Sequence, residues 1–244
     1  MESRKAAALR HPEHIHPALW RGSQLARAGL RTVSTGHRML DPALPGKGWP
    51  LGALVEFALD RPGAGEISLL RPALSALDGQ RSIVLLQPPC QPHFHCWANW
   101  GLAGRRLLKV DADSPADTLW ACEKILKYNA CAALICWLPA ARPQSLRRLH
   151  LAASQSDILF IAMRPAAALG QPSAAPLRLS LRPCEHGLDI TIVKRQGPAC
   201  GQPIRIPLYP ARTPSLPFAT PHAPLDMPSL AHAQPGRALS ALVH

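Results

Sequence analysis

Within seven residues, Cys90-Gln-Pro-His93-Phe-His95-Cys96 gathers two thiols and two imidazoles, the side chains that bind zinc. A tetrahedral site usually joins two separated ligand pairs, and no second pair is evident. Cys90, His93, His95 and Cys96 are therefore a weak metal candidate, and the expectation is a chain without metal or cofactor. The other histidine group, His11, His14 and His16, is flanked by prolines and reads as a solvated arm. The cysteines number seven, with Cys122, Cys131, Cys136, Cys184 and Cys200 completing the set. An odd count without a CxxC pair argues against a secreted disulfide framework. Cys122, Cys131 and Cys136 fall in apolar runs and read as small core residues. Lys and Arg number 27 against 15 Asp and Glu, a formal charge of +12. Such an excess suits an acidic partner: nucleic acid, an acidic protein face or a membrane surface. Arg-rich, Ala-rich composition accounts for part of it.

These side chains need elements to hold them. The chain has 244 residues, 47% of them hydrophobic and 17% charged, enough to bury a core and to exclude wholesale disorder. No run approaches the ~20 apolar residues of a membrane helix. Met1 to Arg10 lacks the apolar centre of a signal peptide, so the expected location is cytoplasmic. Residues 1–31 read as a flexible arm with a short helix at 16–29. From there strands and helices alternate. Strands are expected at 53–59, 82–87, 107–110, 131–138 and 157–163. Ile67, Leu70, Leu74 and Leu77 recur at helical spacing, which predicts a helix at 66–78, kinked by Pro72. A short Trp-rich helix is expected at 94–102. Ser114, Pro115 and Asp117 form a helix start for a helix reaching about Asn129, with Leu119, Cys122, Ile125 and Leu126 inward. Another helix covers 143–154, with Arg147 and Arg148 outward. Four β-α units in succession mean an α/β domain with a parallel sheet.

The pattern then changes. Segments 176–182 and 188–195 alternate apolar and polar residues around a loop ending in Gly187, which predicts an antiparallel edge hairpin; 203–209 could add one more strand. From 210 to 244 seven prolines remove periodicity, and this stretch reads as a Pro-rich disordered tail. Leu239, Leu242 and Val243 near its end are candidate partner contacts. The domain reading is thus arm 1–31, core 32–209 and tail 210–244.

The stretch TVSTGHRMLDPALPGKGWPLGALVEF (32–57) resembles the entry to a RecA-type ATPase core. There a Ser-Thr-Gly turn leads to an Asp, a Gly-rich loop, Pro-x-Gly and a first strand ending near a Glu. The matching residues are Ser34, Thr35, Gly36, Asp41, Gly46, Gly48, Pro50, Gly52 and Glu56. The resemblance covers roughly 32–208 and implies a RecA-like core. It also implies that 190–197 matches a late strand whose lysines reach a neighbouring protomer, making Lys194 and Arg195 candidate interface residues.

The catalytic groups of that core are missing. Its phosphate loop reads G-x-x-x-x-G-K-[ST], whose Lys neutralises phosphate and whose hydroxyl binds Mg²⁺. This chain has Pro62-Gly63-Ala64-Gly65-Glu66-Ile67-Ser68, with Glu66 in place of Lys and Ile67 in place of the hydroxyl. A carboxylate there is expected to repel phosphate. Pro89 falls in the segment where the family carries a water-activating Glu, and Trp137 falls where it carries the Walker-B Asp. Three independent losses imply a chain that is not an enzyme. The family's DNA loops correspond to 139–145 and 164–176, so Arg142, Arg147, Arg148 and Arg164 are candidate DNA contacts. The second loop has no Lys and no aromatic ring, which makes DNA binding weak or indirect.

Within that superfamily the chain resembles ImuA, through HPALWRGSQLA, the TG…LD spacing, LPGKGWPLGAL, GEISLL at 65–70 and the Pro-Pro pair after the second strand. The match spans about His16 to Gly197. It implies a non-catalytic adaptor in damage-induced translesion synthesis. The implied partners are an ImuB-type Y-family polymerase homologue, RecA, and, through the complex, an error-prone replicative-type polymerase. The rival is a cell-division inhibitor of the SulA type, shorter and without the arm. A nucleotide-binding ATPase ranks last.

Overall fold

The computed structural model describes residues 31–102, 107–197 and 202–208. The helix expected at 16–29 and the tail with Leu239, Leu242 and Val243 lie outside the described residues. The fold is a mixed α/β layer structure around one large, mostly parallel sheet. Its strands are β3 (Ala53–Leu59), β4 (Ile83–Leu86), β5 (Leu107–Val110), β6 (Ala133–Trp137), β7 (Leu159–Pro165), β8 (Leu177–Cys184), β9 (Gly187–Lys194) and β10 (Ile204–Pro207). A two-stranded ribbon, β1 (Thr32–Val33) with β2 (Trp49–Pro50), precedes it. The eight strands lie in the order β10-β9-β8-β3-β7-β6-β4-β5. Among them β9 alone runs opposite to the other seven.

Each central strand alternates between two cores. Val55, Phe57 and Leu59 of β3, with Ile161 and Met163 of β7, face helix α1 (Glu66–Ala76) through Leu69, Leu70 and Leu74. Leu54 and Phe160 face the opposite way, toward α3 (Pro115–Lys127) and α4 (Pro143–Ala153). A short helix, α2 (Phe94–Trp97), continues into a π turn at 98–102. Helices on both faces explain why β6 and β7 read as unbroken apolar runs.

Helix α1 continues through Pro72 and stops at Ala76, where Leu77 turns extended. The ring of Pro72 packs beneath Gly36: a Cβ on Gly36 would lie 2.3 Å from the Pro72 Cβ. Gly36 also has φ +75, so any side chain here is both strained and crowded. That glycine belongs to the Ser-Thr-Gly turn, which Asp41 closes. Asp41 accepts from the Ser34 hydroxyl at 2.7 Å and the Thr35 amide at 2.8 Å.

Ser114 caps α3, accepting the Asp117 amide at 3.1 Å. Ser114→Ala is expected to cost about 1 kcal/mol in urea unfolding. The helix ends at Lys127, two residues before the expected stop, because Asn129 takes the left-handed conformation at φ +49. The β8–β9 hairpin is tighter than expected. Its strands reach Cys184 and Gly187, leaving Glu185 and His186 as the turn. Gly187 is required there, since a Cβ would fall 2.0 Å from the Ile206 carbonyl oxygen.

Several carboxylates carry the surface ties. Arg81 bonds Asp157 at 2.7 Å and also reaches the Asn129 and Cys131 carbonyls. The hydrogen bond from Arg81 holds Asp157 below its ordinary range. Hydrogen bonds from Lys127 and Arg148 bring Glu123 from 4.5 down to about 2. Carboxylates depressed in the folded state contribute stability above their unfolded pKa and lose it as pH falls through the folded value. Stability is therefore expected to decline between pH 4.5 and about 2. Acid titration followed by circular dichroism checks this, and Arg81→Met should flatten the decline.

Candidate functional site

Because β3, β4, β6 and β7 run parallel, their C-terminal ends share one edge of the sheet, where ligands of open α/β sheets bind. The loop at 60–65, the segment at 87–89 and the turn at 138–141 all emerge there. This edge brings Gly63, Gly65, Glu66, Pro89 and Trp137 into one region.

The loop is already filled. Glu66 opens α1 and is 2% exposed. Its carboxylate turns back over the loop, accepting from the Gly63 amide at 2.8 Å and the Gly65 amide at 3.0 Å. Backbone amides ahead of a helix N-terminus are an anion cradle, and this chain supplies its own anion. The geometry goes further than the repulsion read from sequence, since a phosphate would have to displace the carboxylate. Gly63 at φ +81 and Gly65 at φ +113 give the loop its path. Ile67 and Ser68 are half-buried on the next turn.

Beside the loop lies a cavity of about 460 Å³. Leu59, Pro62, Pro89, Leu119, Trp137 and Met163 are among its walls, and Asp60 and Asp113 also line it. Two of the walls are the positions where the resemblance expected acids. Apolar side chains stand at those two positions, while Asp60 and Asp113 line the same cavity.

Beneath it sits a buried ion triad. Glu56 on β3 pairs with Arg164 on β7 at 2.9 Å and touches Arg178 on β8 at 2.7 Å. The second contact is close in distance but poorly aligned as a hydrogen bond, since Glu56 Oε2 and Arg178 Nε have no properly directed partner. All three residues are at most 6% exposed. Arg164 also donates to the Ala141 carbonyl at 2.8 Å and to Gln171 at 3.2 Å. Arg178 donates to the Ala168 and Gln171 carbonyls. This corrects the expectation for Arg164: at 3% exposure it holds the loops over β7 and is not presented to DNA. The sequence reading missed Arg178 altogether. Its signal was Glu56 itself, a carboxylate inside an apolar strand, which needs cationic partners.

The remaining candidates are dispersed. Arg142, just before α4, and Arg147, on it, are exposed, while Arg148 pairs with Glu123. Lys194 donates to the Ser173 carbonyl at 2.9 Å, and Arg195 reaches the Ala43 carbonyl; both are tied within the chain. On the outer face of α3, Lys124 lies 5.7 Å from the Trp120 ring centre and 5.9 Å from that of Tyr128. The His93 and His95 rings stand 5.7 Å apart, and among the described residues no three His, Cys, Asp or Glu side chains converge on a metal position. Cys90 and Cys96 are exposed, whereas Cys122, Cys131 and Cys136 are buried. Burial pushes the Cys131 thiol up to about 12 and raises Cys122 strongly. A thiol reagent at pH 8 is expected to label Cys90 and Cys96 in the native protein and these three only after unfolding. Mass mapping of labelled peptides reads the difference.

No family model matches the chain, and no curated protein matches it. Among solved structures, the crystal structure of SulA from Pseudomonas aeruginosa is similar to it at 21% identity, over 46% of this chain and 97% of that one, with a TM-score of 0.38. No helix among the described residues is long and apolar enough to cross a membrane.

Proposed function

We propose that the chain is a non-catalytic, RecA-like adaptor in damage-induced translesion DNA synthesis, joining an ImuB-type polymerase homologue and RecA. The observation that carries this reading is the Glu66 carboxylate on the Gly63 and Gly65 amides. A loop whose amides are spent on its own side chain has no use as a nucleotide cradle. Apolar Pro89 and Trp137 support the reading, because they stand at the two positions where the resemblance puts the acids on which phosphoryl transfer depends. The resemblance of 32–57 to the RecA entry supports the core assignment, and the resemblance to ImuA supplies the partners. An adaptor needs a stable frame and surfaces, and no chemistry.

A thermal-shift titration with ATP and Mg²⁺, with phosphate release read on the same samples, tests it. A ligand about 100-fold above its dissociation constant stabilises a fold by about 2.7 kcal/mol, a shift of a few degrees. The expected result is no shift and no phosphate. Nucleotide-dependent stabilisation with turnover would return the chain to the ATPases.

A further inference from the structure

We propose that the cavity beside the Glu66 loop is a socket for an extended peptide segment of a partner protein, one that carries a large apolar side chain next to a basic residue. The proposal rests on the adaptor reading and names the chemistry its partner must bring.

Three features of the cavity point to that occupant. Its volume, about 460 Å³, is in the range that buries a small ligand or a few side chains. Its walls are apolar, with Leu59, Leu119, Trp137 and Met163 among them. It offers phosphate nothing: of the described residues that line it, Arg164 is the one cation, and both its terminal nitrogens are spent on Glu56, Ala141 and Gln171. That argues against nucleotide and nucleic acid.

The third feature is charge. Asp60 and Asp113 line the cavity and are solvent-exposed, so they favour a cation beside the apolar anchor. For a partner protein, apolar filling with a flanking positive charge describes a short basic-apolar peptide segment.

The test uses the full chain, ¹⁵N-labelled, with two capped peptides, acetyl-Leu-Phe-Arg-amide and acetyl-Leu-Phe-Glu-amide. The readout is the Trp137 indole resonance, assigned through Trp137→Phe. The Arg peptide is expected to shift that resonance saturably and to bind about tenfold or more tighter than the Glu peptide, a gap of about 1.4 kcal/mol. Asp60→Asn with Asp113→Asn should bring the two peptides together without abolishing binding. Ala140→Trp, at an exposed lining position, should block the mouth and abolish it without disturbing the core. The socket is overturned by a silent Trp137 indole at about 5 mM peptide, where even a millimolar complex is mostly formed. It is equally overturned by equal affinities in the unmodified chain or by binding that survives Ala140→Trp. Silence with both peptides and with ATP sinks the socket and leaves the adaptor; stabilisation by ATP with phosphate release sinks the adaptor whatever the peptides do.

Discussion

Glu56→Gln is expected to lower the unfolding free energy by about 3–5 kcal/mol, the cost of breaking a buried ion pair from one side. The shape of the side chain hardly changes, so packing is not the cause. Arg164 and Arg178 stay in place at 3% and 6% exposure, and the carboxylate that both contact among the described residues is gone. The loops they hold, through Ala141, Ala168 and Gln171, should loosen together. Urea denaturation reads the loss as a lower midpoint with an unchanged slope, and a loss under about 1 kcal/mol would show that the triad is solvated rather than buried. Replacing all three, Glu56→Leu with Arg164→Met and Arg178→Met, should recover much of the stability, because apolar side chains need no counter-charge.

Glu66→Ala is the second large effect, with an expected cost of about 2–4 kcal/mol from two hydrogen bonds to a charged acceptor. The amides of Gly63 and Gly65 lose their acceptor, and the loop between β3 and α1 should become the first part of the chain to exchange its amide hydrogens. The informative comparison is with added anion. Inorganic phosphate should raise the melting temperature of Glu66→Ala while leaving the parent chain unchanged, since only the variant has an open cradle. Glu66→Lys should accept phosphate in the same way yet release none from ATP, because Pro89 and Trp137 still line the edge. Turnover by that variant would mean that the other two positions were misassigned.

Local signals were the legible ones. The strands at 53–59 and 107–110 stand where their apolar runs put them, and Ser114 caps its helix as its spacing predicts. Periodicity also separated the parallel part of the sheet from the hairpin. What the chain could not show by itself was contact across distance. That β8 lies beside β3, so that Arg178 meets Glu56 from the far side, follows from packing. Arg164 looked like a loop cation because residue type reveals charge and says little of burial. Glu66 was recognised as misplaced for phosphate chemistry, but its turn back onto Gly63 depends on backbone angles that no residue pattern prints. The cavity is a shape made by five separate segments, and such shapes have no sequence signature.

The carboxylate over the loop has one more consequence, which concerns time. In a nucleotide-driven protein the bound phosphate is a timer: it arrives, is cleaved and departs, and each departure ends an assembly. A group joined to the chain by its own covalent bonds stays at high local concentration and cannot be diluted away. On the adaptor reading proposed above, Glu66 in that place gives the core one long-lived state rather than a cycle. The lifetimes of its complexes are then set by dissociation rates, and their number by how much of the chain and its partners is present.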